Sequence, residues 1–117
     1  MTIQDIKDIL HAEILWADED MLSHEVHTAC GSDMMSDVLA CVTEDTLLLT
    51  GMVNSQCVRT CEMLDVPCVI FVRSKEPLAD ALALAREIGL PMLKTPYTMF
   101  ESCARLYTAG LKPVELG

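Results

Sequence analysis

Along the first ten residues the apolar side chains fall at Ile3, Ile6, Ile9 and Leu10, behind Thr2 and with Asp5 three positions on from that threonine. A hydroxyl followed three residues later by a carboxylate ties down the free amides of a helix start, so this stripe predicts a short N-capped amphipathic helix. Residues 13–16 and 25–30 then offer two brief extended segments around the acidic turn Asp18-Glu19-Asp20. After Gly31 the period returns to helical: Ser32 and Asp33 stand as caps before Met34, Met35, Val38, Leu39 and Val42.

The pattern then changes twice. Thr46 to Thr50 (TLLLT) and Cys68 to Val72 (CVIFV) are continuous β-favourable runs without alternation, as expected of strands covered on both faces. The first ends at Gly51 and leads to Asn54 or Ser55 as the cap of a helix facing inward through Val58, Cys61 and Leu64. The second leads to Pro77, acceptable in a helix first turn, and to an inward stripe of Leu78, Leu82, Ala85 and Ile88 that Gly89, Leu90 and Pro91 bring to a stop. Thr95 and Pro96 predict one more helix, with Met99, Phe100, Cys103, Leu106 and Tyr107 inside and Gly110, Leu111 and Pro113 closing it.

Strand and helix in alternation predict parallel strands joined by right-handed crossovers. The expected architecture is a three-layer α/β/α sandwich with a mostly parallel sheet of about five strands. With 117 residues, 51% of them apolar, one domain over residues 1–117 is expected. No linker, internal repeat or low-complexity tract breaks the chain. The start MTIQDIKDIL lacks a basic segment followed by an apolar block, and no apolar run approaches a membrane span, so a cytoplasmic location is expected.

Charge changes the picture in one respect. Residues 1–45 hold eleven carboxylates against Lys7 alone, whereas residues 46–117 hold seven acids and seven bases, so the net charge of −10 arises entirely in the first part. That field opposes binding to nucleic acid or an anionic membrane. Two readings of it remain open: a solvated face, or a docking surface for a basic partner.

Six cysteines, at 30, 41, 57, 61, 68 and 103, lie mostly within apolar periodic segments, which favours buried thiols over a disulfide framework. Cys57 and Cys61 share a helical face and offer half of a thiolate site, with packing as the competing account. His24 and His27 fall in a segment read as extended, so they are expected on opposite faces and unable to share an ion; His11 stands alone. No metal site and no cofactor is expected. Eight methionines serve either as adaptable core filling or as a partner surface, and one of the neighbours Met34 and Met35 must face outward.

In open parallel sheets ligands bind beyond the carboxyl ends of the strands. Four loops qualify here: Gly31-Ser32-Asp33, Thr50-Gly51-Met52-Val53-Asn54, Arg73-Ser74-Lys75 and Lys94-Thr95. Helix starts with nearby cations suit a small anion such as a phosphate or nucleotide, which makes Gly31, Ser32, Asp33, Thr50, Gly51, Asn54, Arg73, Ser74 and Thr95 the candidate ligand-binding residues. The same residue types also occur simply to cap helices and permit turns. No GxxxxGK[ST] loop, GxGxxG fingerprint or GxSxG elbow is present, so no catalytic residue is nominated and enzymatic activity is not expected.

Three stretches carry a family resemblance: CGSDMMSDVLA at 30–40, LLLTGMVNSQCVRTCEMLDV at 47–66 with VIFVRSKEP at 69–77, and GLPMLKTPYTMFESCARLYTAGL at 89–111. In order and spacing the chain resembles stand-alone DRTGG-domain proteins, relatives of the N-terminal domain of HPr kinase and of regulatory inserts in some phosphotransacetylases and CBS-domain pyrophosphatases. Where that family carries its Thr-Gly-Gly turn this sequence has Val72-Arg73-Ser74, and Met52-Val53 replaces the Asp-Arg pair. The resemblance implies an α/β regulatory or oligomerising module, a homodimer, without phosphotransfer activity. It also implies an alternative: an accessory of a redox enzyme such as an iron-only hydrogenase, docking through its acidic N-terminal part.

Overall fold

The computed structural model describes residues 1–115. Six strands form one sheet in the order β1-β5-β4-β3-β2-β6: β1 (Glu13–Trp16), β2 (Thr28–Gly31), β3 (Thr46–Thr50), β4 (Val69–Phe71), β5 (Met92–Lys94) and β6 (Lys112–Pro113). β1 runs antiparallel to β5 and every other pairing is parallel. The helices are α1 (Ile3–Ile9), α2 (Met35–Cys41), α3 (Ser55–Met63), α4 (Ala79–Ile88) and α5 (Met99–Thr108). A 3-10 turn, Glu19–Ser23, occupies the acidic segment after β1.

The side chains sort into two cores, one on each sheet face. Leu47, Leu49, Ile70 and Leu93 pack on one side with Ile3, Ile6 and Leu10 of the α1 segment and Leu106 of α5. Leu48, Val69, Phe71 and Met92 pack on the other with Val38 of α2, Cys57, Val58 and Cys61 of α3, and Ala81 and Ala85 of α4. All five residues of β3 are buried, which explains the unbroken apolar run: a central strand covered on both faces has no solvent side to mark. The three layers are therefore α1 and α5, the sheet, and α2 to α4.

Several helix signals take the form expected. Thr2 and Asp5 form a reciprocal capping box, Asn54 accepts from the Cys57 amide at the start of α3, and Gly89 ends α4 in the left-handed region at φ 78°. Met35 is buried and Met34 exposed.

Other expectations are corrected. Ser32 and Asp33 do not cap α2, whose cap position is Met34 without a side-chain bond. Ser32 Oγ instead accepts from the Met34 amide, and Asp33 turns toward the neighbouring strand. The last helix starts at Met99 with Thr98 as its cap, because Thr95 is buried and its hydroxyl is engaged by Leu10. That start turns Phe100 and Tyr107 outward, with exposures of 85% and 69%, although helical spacing alone had counted them inside. Leu39 and Leu78 also face solvent. The sixth strand, β6, has two residues and contains Pro113, which a sheet edge tolerates.

The crossovers position the site. From β2 to β5 each connecting helix lies on the α2–α4 face, and only α5 returns over the opposite face to reach β6 beside β2. Adjacent strands β4 and β5 thus send their following helices to opposite faces, which makes their C-terminal ends the switch point of the sheet.

Candidate functional site

At the C-terminal edge of β3, Thr50 leads into Gly51, and the Asp33 side chain reaches across from the loop after β2. Its Oδ1 accepts from the Gly51 amide at 2.6 Å and from the Thr50 hydroxyl at 3.2 Å. Thr50 Oγ1 in turn accepts from the Met52 amide. A buried strand end needs partners for amides that the ladder no longer uses, and Asp33 supplies one. Asp33 Oδ2 has no hydrogen-bond partner among the described residues.

Arg73 and Ser74 follow β4 with φ of 56° and 54°, two consecutive non-glycine residues in the left-handed region. The turn is held by its backbone: the Arg73 amide donates to Tyr97 O and the Ser74 amide to Thr95 O, both at 2.8 Å. These bonds close the switch-point crevice between β4 and β5 and send the Arg73 side chain toward β3. A Cβ placed on Gly51 would lie 3.3 and 3.4 Å from the two Asp33 carboxylate oxygens and 3.6 Å from Arg73 Nη2. Gly51 is itself buried, so the lack of a Cβ lets a carboxylate and a guanidinium, both on exposed residues, close in over the strand end, and the notch is the gap between these two side-chain heads. Among the described residues Arg73 has no ion-pair partner within 4.0 Å. Lys75 spans the same rim, its Nζ donating to Gly51 O at 3.0 Å.

Of the expected site residues, the structure brings together Asp33, Thr50, Gly51 and Arg73, with Ser74 completing the turn. Asn54 is committed to capping α3, and Ser32 to its local turn. Thr95 has left the surface: its buried hydroxyl donates to Leu10 O at 2.7 Å. Gly31 answers a packing demand, since a Cβ there would sit 2.8 Å from Met99 Sδ. Lys94 is taken by Glu13 at 3.2 Å and by Glu76, whose hydrogen bond, ahead of the one from Glu13, raises the Lys94 pKa. Lys75, in one of the four loops but outside the nine candidate residues, joins them, and the available signal is a basic residue directly after the turn.

A family model described as the DRTGG domain matches residues 5–109. The chain belongs to the DRTGG domain family. A solved structure with this fold is the crystal structure of the CBS and DRTGG domains of the regulatory region of Clostridium perfringens pyrophosphatase, complexed with the activator diadenosine tetraphosphate. The similarity has a TM-score of 0.70 at 15% identity and covers 90% of this chain and 45% of that one, so this DRTGG domain spans less than half of the regulatory chain it resembles. No curated protein matches the sequence.

The turn that the DRTGG resemblance equates with Thr-Gly-Gly keeps a glycine-type backbone here, although Arg73 and Ser74 now occupy it. Left-handed geometry costs an ordinary residue roughly 1–2 kcal/mol, and it persists where surrounding bonds fix the chain. Arg73 places a cation at the end of the central strand β4.

The cysteines of this DRTGG domain lie apart from these strand ends or behind them in the core. Cys30, Cys57, Cys61 and Cys68 are buried and Cys41 and Cys103 partly so, all six as free thiols. A hydrogen bond with Cys57, then burial, pushes the Cys61 thiol far up, and burial alone does the same to Cys68. Among the described residues no group of three or more His, Cys, Asp or Glu side chains is arranged to hold a metal ion. The opposite-face expectation for His24 and His27 fails, because residues 24–27 precede β2 and both rings approach Asp45, at 3.0 and 3.6 Å.

A groove of about 350 Å³ lies between α5 and the β2–β6 edge, lined by Gly31 at the C-terminal end of β2 and by Phe100, Cys103, Ala104, Tyr107 and Pro113. Its lining is mostly apolar, which separates it from the charged notch over Gly51. No helix among the described residues is long and apolar enough to cross a membrane.

Proposed function

We propose that this DRTGG domain is a non-catalytic regulatory module, acting over residues 1–117 in the cytoplasm, that binds a small anionic ligand of the nucleotide class above Gly51. The observation that carries the reading is Arg73: an exposed guanidinium without an ion-pair partner among the described residues, held by a left-handed turn over the buried Gly51 and facing Asp33 across it. A planar guanidinium at such a rim presents paired N–H donors suited to a phosphate. Family membership supports a regulatory role, and the complex of the pyrophosphatase regulatory region with diadenosine tetraphosphate supports a nucleotide as the ligand class.

Calorimetric titration with a panel of mono-, di- and dinucleotides tests this. The expected result is saturable binding to the intact domain and its loss in Arg73→Ala, with the melting temperature of the variant not lowered. Silence across the panel, or binding indifferent to Arg73→Ala, contradicts the reading.

We further propose that the domain is a homodimer and that a second copy covers the α5 groove. Phe100, Cys103, Ala104 and Tyr107 form a stripe with bulky residues at both ends and small ones between. A two-fold pairing of such stripes brings Phe100 of one copy against Tyr107 of the other at both ends, and aromatic residues are enriched at interfaces of this kind. Light scattering gives a dimer at micromolar concentration under this proposal and a monomer for Phe100→Asp; a monomeric parent chain contradicts it.

A further inference from the structure

Asp33 is an awkward neighbour for an anion. Its carboxylate already holds the Gly51 amide, the donor an oxyanion would otherwise use, and it faces the same notch as Arg73. Any ligand seated over Gly51 therefore meets a negative charge on one wall and a positive charge on the other. A bare oxyanion satisfies only the cationic wall and is repelled by the other.

The carboxylate is also aimed. Two hydrogen bonds to Oδ1, from the Gly51 amide and the Thr50 hydroxyl, anchor that oxygen at the strand end. Oδ2 is left without a partner among the described residues, and it lies 3.4 Å from the point a Gly51 Cβ would occupy. An oriented, unfilled carboxylate oxygen is an acceptor for a ligand O–H. Across the notch Arg73 supplies donors, and Lys75, tied to the Gly51 carbonyl, adds positive charge to the same rim.

From this we infer that Asp33 is the specificity-determining residue of the site: it accepts a hydroxyl of the ligand through Oδ2, so the domain selects phosphate monoesters that carry sugar hydroxyls and rejects bare phosphate. This inference rests on the ligand site proposed above and adds to it the chemistry of the second wall. Hydrogen bonds to a charged acceptor discriminate by tenfold or more, and a site built to take a hydroxyl penalises the analogue that lacks it.

The experiment compares four probes on the intact protein: AMP, its 2′,3′-dideoxy analogue, ribose 5-phosphate and inorganic phosphate. AMP is expected to bind about tenfold or more tightly than the dideoxy analogue, and inorganic phosphate weakest of all. Ribose 5-phosphate tells whether the sugar phosphate suffices or the base contributes; binding within a few-fold of AMP assigns recognition to the sugar and phosphate, as inferred. If ribose 5-phosphate falls to the level of inorganic phosphate, the inference is overturned, because sugar hydroxyls would then add nothing to the binding of phosphate. Asp33→Asn keeps an acceptor for the Gly51 amide while removing the charge, and is expected to weaken AMP and strengthen inorganic phosphate, collapsing the preference. Equal affinity for AMP and its dideoxy analogue overturns the inference on the unmodified protein, whether or not the variant folds. Equal tightening of every probe in Asp33→Asn also overturns it, by making Asp33 a plain competitor. Absence of binding to all four probes instead defeats the underlying anion site, a distinguishable failure.

Discussion

Replacing Arg73 and Ser74 by glycine should make the protein more stable while removing its ligand site. Both residues hold φ near +55°, where a Cβ crowds the following carbonyl at a cost of roughly 1–2 kcal/mol each. Glycine removes that cost but loses about 0.5–1 kcal/mol more chain entropy on folding, so the net gain is about 0.5–1 kcal/mol per position. Little offsets it, because the Arg73 side chain makes no ion pair among the described residues and the backbone bonds to Tyr97 and Thr95 survive the change. For a chain of this length 1 kcal/mol corresponds to about 4 °C, so the double variant should melt about 4–8 °C higher. Differential scanning calorimetry on Arg73→Gly, Ser74→Gly and the pair, beside nucleotide titration, reads both effects. Ser74→Gly alone should gain stability and keep binding, whereas Arg73→Gly should gain stability and lose binding, the trade-off of a strained functional residue. Unchanged or lower melting temperatures in all three would refute stored strain at this turn, and retained binding in Arg73→Gly would refute the role given to the guanidinium.

Two further predictions concern the parts of the chain that serve structure. Thr95→Val should cost about 1–3 kcal/mol, because it leaves the Leu10 carbonyl unpaired in a buried position; chemical denaturation reads it, with nucleotide affinity expected unchanged, and lost affinity at full stability would return Thr95 to the site. The Thr2 amide, then its hydroxyl, hold the Asp5 carboxyl below its ordinary value, so its contribution to stability is present above the unfolded-chain pKa and fades as pH falls through the lower folded one. Asp5→Asn should therefore show a shallower loss of stability in acid than the parent, and parallel acid titrations would contradict the capping role.

What was legible in the sequence is what local chemistry dictates. Thr2 with Asp5, Asn54 and Gly89 announce helix ends through contacts within one turn, and TLLLT and CVIFV announce buried strands through composition alone. The errors arise where a distant partner decides. Thr95 reads as a helix cap until Leu10, brought beside it by the fold, takes its hydroxyl and moves the helix start to Thr98. Asp33 reads as the cap of its own helix, whereas the amide of Gly51, just past the end of β3, claims it. Phe100 and Tyr107 read as core because helical spacing marks a stripe without saying whether this chain covers it. The strand-end loops could be nominated as a group from the α/β pattern, but the meeting of Asp33, Gly51 and Arg73 depends on β2, β3 and β4 being neighbours in the sheet.

The most direct measurement is an amide NMR titration of the isotopically labelled protein with AMP, following every assigned backbone resonance. Saturable shifts are expected, centred on Asp33, Gly51, Arg73 and Ser74, with the amides of the α5 groove unmoved. Shifts centred on Phe100, Cys103 and Tyr107 instead, or none at millimolar ligand, would contradict that.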